Sequence, residues 1–256
     1  MVIGNKRFIL GIPVSLDTHE IILTEIERRI KDNTHGGCIA ITNTESMYHA
    51  LRRPDHMAFI KKADFSLCDG VGVIVAGYFW GFKVNRYNGP ILQLDCSSYG
   101  QSRGWRHFFY GGKEGVADLM SIKLKAMYPD INVVGTYCPP FREMTEEEDE
   151  EIVRMINDTK PDIVWVGLGL IKQETWIAQH LERLNASWTV GVGAAFDYHS
   201  GAVPWAPKWI RALGLEWFFR LIIQPKLRAK RYWWSLIFVV EAALSGMLRP
   251  LKRVFK

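Results

Sequence analysis

The 256-residue chain has little cysteine and no paired cysteine spacing: Cys38, Cys68, Cys96 and Cys138 stand far apart, with no C-x-x-C. A disulfide framework and a zinc-ribbon site are therefore not expected, and four reduced, packed thiols are. The start, MVIGNKRFILGIPVSLD, lacks the long apolar stretch and small-residue cleavage site of a secretory leader, so a cytoplasmic protein is expected. No G-x-G-x-x-G follows the first apolar run, and no Gly-Lys-Ser/Thr closes a phosphate-binding loop. A nicotinamide-dependent dehydrogenase and a P-loop NTPase lose their main signatures. No G-x-S-x-G elbow, no His-x-x-x-His pair and no isolated Asp-x-Asp turn after a strand is present. Neither a bound metal nor a cofactor is expected.

What is present is a globular composition, 48% hydrophobic and 23% charged. The net charge of +5 is unevenly distributed. Residues 205–256 hold eleven Lys/Arg against two acids, and five of the ten tryptophans. Everything before Trp205 is net acidic. A basic, Trp-rich tail suits an anionic membrane surface or a nucleic acid. The expected organisation is a core over 1–204 and a helical C-terminal appendage over 205–256.

Along the core, apolar runs alternate with amphipathic ones. RFILGIPVSL reads as one strand and THEIILTEIERRI as a helix. CIAIT, FSLC, RHFFYGG, INVVGTY, DIVWVGLG and WTVGVGAAFD read as further strands, with helical stretches between them. That alternation predicts an α/β fold, a Rossmann-like, mostly parallel sheet flanked by helices. Four strands end in glycine turns: LCDGVG, FFYGGKEG, VGLGLIKQE and VGVGAAFD. Ligands of open α/β sheets bind at the carboxyl ends of strands, where glycines admit a ligand to the backbone.

Polar residues gather at the same ends. Asp69 follows FSLC, where a carboxylate can act as a general base, a metal ligand or a helix cap. Thr42 and Asn43 end CIAIT. Arg86 lies in a loop after a buried helix, suited to an anionic ligand. Lys172, Gln173 and Glu174 open a helix, and Asp197 closes the last strand, where it would cap or receive a ribose hydroxyl. The acidic run EEEDEE at 146–151 reads as a solvated helix start.

The segments ADFSLCDGVGVIVAG, FFYGGKEGVADLM, DIVWVGLGLIKQETWI and VGVGAAFDYHSGAVPWAPKWIRALGLEWFFRLIIQPKLRAKRY together resemble the signature blocks of the WecG/TagA/CpsF glycosyltransferase family, over about residues 8–232. The resemblance implies metal-independent, inverting transfer of a sugar from a UDP-sugar to a polyprenyl-diphosphate-linked saccharide in bacterial surface-polysaccharide synthesis. It places that reaction at the cytoplasmic face of the inner membrane, on a peripheral protein. Position by position, it assigns the general base to Asp69 and places Thr42 and Asn43 near the reacting sugar. Arg86, Lys172 and Gln173 become substrate contacts, and Gly111, Gly112 and Asp197 shape the nucleotide pocket. Two residues depart from the family pattern: Ile171 stands where relatives usually have proline, and Ile91 where they often have aspartate. The donor sugar is left among glucose, N-acetylmannosamine and its uronic acid.

Without a metal, cations must offset the diphosphate charge. The tail offers Arg211, Arg220, Arg228 and Arg231, and the expectation is that it folds over the site. RYWWSLIFVVEAALSGMLRPLKR leaves seventeen residues between Arg231 and Arg249, interrupted by Glu241. That is short for a membrane span, and a charge at mid-segment costs about 2.5–3.5 kcal/mol. Helices lying in the membrane interface are expected. A subunit interface of a homo-oligomer is the other reading of the same apolar surface. A basic-tailed nucleic-acid-binding α/β protein is the alternative function, and leaves the glycine turns unexplained.

Overall fold

The computed structural model describes residues 5–254, and their side chains except Leu227 and those of 249–254. The first four residues, the last two of the basic tail and the Arg249 side chain lie outside this description. In chain order the elements are β1 (Lys6–Ile9), β2 (Ile12–Ser15), α1 (His19–Lys31), β3 (Gly37–Thr42), α2 (Thr44–Ala50), α3 (Pro54–Lys62) and β4 (Phe65–Cys68). Then come α4 (Val71–Phe79), α5 (Gly89–Gln101), β5 (Arg106–Gly111), α6 (Val116–Met127), β6 (Asn132–Tyr137), α7 (Glu146–Asp158), β7 (Ile163–Gly167) and α8 (Lys172–His180). The chain closes with β8 (Trp188–Gly191), α9 (Ala195–Ser200), α10 (Lys208–Ala212), α11 (Glu216–Ile223) and α12 (Pro225–Val254).

Six strands form a parallel sheet in the order β4-β3-β8-β7-β5-β6, the α/β architecture expected from the alternation of apolar runs. Strands β3, β4 and β8 are buried at every position, which is why they read as continuous apolar runs. Helix starts follow local chemistry. Thr18 caps α1 through Ile21 N, and Thr145 with Glu148 forms a capping box on α7. The EEEDEE run is thus the acidic first turn of α7, favoured by the helix dipole.

The first apolar run is two strands. β1 and β2 pair antiparallel in a sheet of their own, joined by Leu10 (φ 51°) and Gly11 (φ 80°). Two successive positive φ values make the tight, primed turn that matches strand twist. Asp197 does not end a strand either, for it sits in the first turn of α9.

By Cα proximity the chain divides into two compact units. Among the described residues, unit 1 comprises 18–40 and 89–204, and unit 2 comprises 5–17, 41–88 and 205–254. The core of unit 1 holds Phe108, Phe109, Val164, Trp165, Trp188 and Phe196, all within 1% of full burial. In unit 2, α12 packs against α2 and α4, with Phe238 and Ala242 fully buried. Gly246 lies so close to the backbone of Phe79 that a Cβ there would come within 2.5 Å of its carbonyl. The Trp80 indole donates to Ala242 O at 2.9 Å, and Arg52 pairs with Glu241 at 2.5 Å. The described part of the basic tail is therefore half of a folded unit, with the first-half segments 5–17 and 41–88 as its other half.

Candidate active site

Unit 2 contains a cavity of about 510 Å³, within the usual range for small-molecule sites. Its polar walls include Asn43, Glu45, Asp69, Arg86, Glu216, Arg220, Arg228 and Arg231. Its apolar walls are Val71 and Val75 of α4, Trp217 of α11, and Leu236 and Val239 of α12.

Asp69 is placed by the end of β4. Its backbone N–H donates to Thr42 O at 2.8 Å, so the ends of β3 and β4 set its position. Gly70, at φ 112°, then turns the chain into α4, a conformation only glycine adopts easily. Asp69 opens on the cavity, but burial of its carboxyl raises its pKa above the ordinary carboxylate value. Four charges act on it besides burial: Arg220, Arg86 and Arg231 lower the pKa, and Glu216 raises it. A carboxylate held basic in this way suits proton abstraction.

The cations arrive from distant segments. Arg86 lies beside the end of β4, with a bridge to Cys68 and the next residue's N–H bonded to Cys68 O at 3.0 Å. Its guanidinium donates to Glu216 Oε2 at 2.8 Å and to Arg211 O at 3.1 Å. Arg220 reaches Glu216 Oε1 at 3.4 Å. Arg231 donates to Glu45 Oε2 at 2.6 Å, and Arg228 to Gln224 Oε1 at 3.2 Å. Arg211 turns elsewhere: its guanidinium stacks on Trp205 at 3.7 Å, and it is not among the cavity walls. Thr42 is buried behind the cavity rather than on it. Its hydroxyl donates to Leu67 O at 3.0 Å and lies 3.1 Å from Ser66 Oγ. Asn43 lines the cavity while capping α2 through Ser46 N at 2.9 Å.

Unit 1 gathers the other glycine turns at the carboxyl ends of its strands. Gly111 pairs with Gly167 in the β5–β7 register, and Gly112 N donates to Gly167 O at 2.9 Å. A Cβ at Gly111 would stand 2.6 Å from the Gly167 carbonyl, which excludes any other residue there. Gln173 is 5% exposed and lies over Gly191 and Gly193, the turn after β8. Lys172, beside it, is exposed, and Asp197 is half-buried. These five residues thus belong to a different unit from the Asp69 cavity.

Among the described residues, no group of three or more His, Cys, Asp or Glu side chains could hold a metal ion. None of the described helices is long and apolar enough to cross a membrane.

The model of the glycosyl transferase WecG/TagA/CpsF family matches residues 7–253. The chain belongs to that family. Its relatives include N-acetylglucosaminyldiphosphoundecaprenol N-acetyl-beta-D-mannosaminyltransferases of Bacillus subtilis and Staphylococcus aureus, each 28% identical. The first aligns over 78% of this chain and 77% of its own length, the second over 76% and 75%. The protein is accordingly a glycosyltransferase, and nothing in these comparisons favours the nucleic-acid-binding alternative.

Within this WecG/TagA/CpsF glycosyltransferase, the unit 2 cavity joins Asp69, Asn43, Arg86 and three tail arginines, Arg220, Arg228 and Arg231. Glu45, Glu216, Trp217 and Tyr232 also line the cavity, without being expected there from the sequence. For Glu216 a signal existed: it is one of two acids in the basic tail, so its charge is out of keeping with its surroundings. Ile171, the departure from the family pattern, has φ 72° and ψ −52°. A proline, locked near φ −65°, could not take that conformation, so the turn entering α8 differs in shape from one built on proline.

Proposed function

We propose that this glycosyltransferase moves a sugar from a UDP-sugar to a polyprenyl-diphosphate-linked saccharide, with inversion at the anomeric carbon and no metal. The observation that carries this reading is the cavity itself: one carboxylate of raised pKa at the end of a strand, among four arginines contributed by two chain segments. A diphosphate needs that positive charge, since arginine pairs phosphate oxygens in a bidentate manner.

In the proposed step, the acceptor hydroxyl oxygen attacks the anomeric carbon of the donor. Asp69 takes the hydroxyl proton. The bond from the anomeric carbon to the β-phosphate oxygen breaks, and its electron pair leaves on UDP. Arg220, Arg228 and Arg231 offset diphosphate charge in the site. Thr42 acts through its carbonyl, which holds the Asp69 backbone, and Asn43 contacts the sugar. Taken by itself, unit 1 is proposed to use Gly111, Gly112 and Asp197 to shape a nucleotide pocket and Lys172 and Gln173 as substrate contacts. The bacilli and staphylococcal relatives take N-acetylmannosamine to N-acetylglucosaminyldiphosphoundecaprenol by name, which makes that the first donor–acceptor pair to try.

The protein works at the cytoplasmic face of the bacterial inner membrane as a peripheral protein. Exposed Trp209, Trp217, Ile222, Trp233, Leu236 and Leu244 on α10–α12 supply apolar contact, and neighbouring Lys and Arg supply attraction to anionic lipid. Glu241 is paired with Arg52, in keeping with a helix lying in the interface rather than crossing. The test is a panel of UDP-glucose, UDP-N-acetylmannosamine and its uronic acid against a lipid-diphosphate-linked N-acetylglucosamine, read by mass spectrometry. Transfer from one donor, without divalent metal, is expected, and the product linkage is read by NMR. No transfer from any UDP-sugar would overturn the reading.

A further inference from the structure

Two of the cavity's arginines meet on one carboxylate. Glu216 is the first residue of α11 and is 8% exposed. Its Oε2 accepts from Arg86 at 2.8 Å, and its Oε1 lies 3.4 Å from Arg220. Arg86 belongs to the loop beside Asp69, and Arg220 to the tail helix. The Arg86 guanidinium also binds Arg211 O, so one cation ties the Asp69 end of the cavity to α10 and α11 together. An acid at the first position of a helix is favoured by the helix dipole.

We propose that Glu216 is a positioning residue for sugar transfer, whose carboxylate fixes Arg86 and Arg220 in the cavity wall and sets the negative charge felt by Asp69. This rests on the reading of Asp69 as the general base. Two functions follow from one position. An arginine has many rotamers, and a carboxylate that receives it selects one before the substrate arrives, removing that ordering cost from the reaction. Glu216 also opposes the arginines electrostatically. The charged groups acting most strongly on Asp69 are Arg220 and Glu216 from α11, Arg86 from the adjoining loop and Arg231 from α12, and Glu45 of α2 and Arg228 of α12 share the cavity walls. The three cations alone would make Asp69 a weaker base, and Glu216 is the anion among them. The arginines thereby serve an anionic substrate without removing the basicity that the proton transfer needs.

Glu216→Gln keeps the shape and removes the charge. With UDP-N-acetylmannosamine and lipid-diphosphate-linked N-acetylglucosamine, kcat should fall about 10²-fold, the order expected for a misplaced catalytic constellation, with a smaller change in KM. The acid limb of the kcat profile should move to lower pH, because Asp69 loses an anionic neighbour. Glu216→Asp restores the charge and should return the limb to its wild-type position, with kcat a few-fold below wild type because its shorter side chain reaches the arginines less well. A Glu216→Gln enzyme with wild-type kcat, or with an acid limb that does not move, overturns the proposal. Should Glu216→Gln melt below the assay temperature, Glu216→Asp decides alone: its shorter side chain must lower kcat without moving the limb, and an unchanged kcat overturns the idea. Asp69→Asn measured beside them separates the two readings. If Asp69→Asn keeps turnover, the assignment of the base has failed. If it is inactive while Glu216→Gln behaves as wild type, only the positioning role has failed.

Discussion

Arg231 and Glu45, 186 residues apart in the chain, meet at 2.6 Å on the wall of the cavity. The pair joins the basic C-terminal helix to the first turn of α2, immediately after Asn43. A partly buried pair of this kind costs more to break from one side than it gains as a whole, because the survivor keeps its desolvation penalty.

Breaking it from one side is therefore predicted to be worse than removing both partners. Arg231→Gln should raise donor KM about 10-fold and lower the melting temperature. Glu45→Gln should cost less activity, since an arginine remains for the substrate. The double variant should be more stable than the sum of the single losses predicts, with a coupling of about 0.5–3 kcal/mol. Additivity in denaturant melts would rule the coupling out.

Asp69 carries opposite consequences for activity and stability. Asp69→Asn should reduce turnover about 10³-fold, in the range general bases contribute. Burial raises the native pKa above the unfolded value, so the native state holds the proton more tightly. Between those two values the native state binds more protons than the unfolded chain, and stability falls as pH rises. Asn cannot ionise and escapes that loss. The variant should thus melt higher than wild type at neutral pH, and the gap should close as pH falls toward 4. Equal melting temperatures at all pH values would contradict this.

Ile171 holds a conformation that a β-branched residue rarely adopts. Holding it costs on the order of 1–3 kcal/mol, and Gly at the position relieves it. Ile171→Gly should raise stability by about 1 kcal/mol, and Ile171→Pro should lower it by more than that. A thermal melt of the pair gives the sign. A proline variant as stable as wild type would show that the turn can be rebuilt.

The apolar surface of α10–α12 should bind membranes through both charge and insertion. Wild-type protein should float with liposomes containing anionic lipid and do so weakly with neutral ones, more weakly still at high salt. Trp209→Ala with Trp233→Ala, both exposed, should reduce flotation without lowering stability. Binding that ignores lipid charge, or a sedimentation shift to a homo-oligomer without any flotation, would favour a subunit interface on this surface.

The order of strands and helices was legible because its causes are local. Fully buried strands read as unbroken apolar runs, and Thr18 and Thr145 mark helix starts within a few residues. Two elements escaped that logic. α5 buries Gly89, Pro90, Gln93, Ser97 and Gly100 beside Leu92 and Cys96, so hydrophobic periodicity does not reveal it, although Pro90 at its start was a usable signal. The β1–β2 hairpin hid inside one apolar run, because its turn is only Leu10 and Gly11.

By itself, the sequence determined the α/β class, the glycine turns that end the strands, the family and the segregation of positive charge into the last 52 residues. Only the tertiary structure decided what shares a cavity. It joined Asp69 to arginines more than 150 positions away, gave Arg86 to Glu216, turned the Thr42 hydroxyl inward and set Arg211 on Trp205. The physical reason is range. Periodicity, caps and turns are set by residues within a few positions, whereas a carboxylate and a guanidinium pair only where the packing of α2, α4 and α12 brings their backbones together.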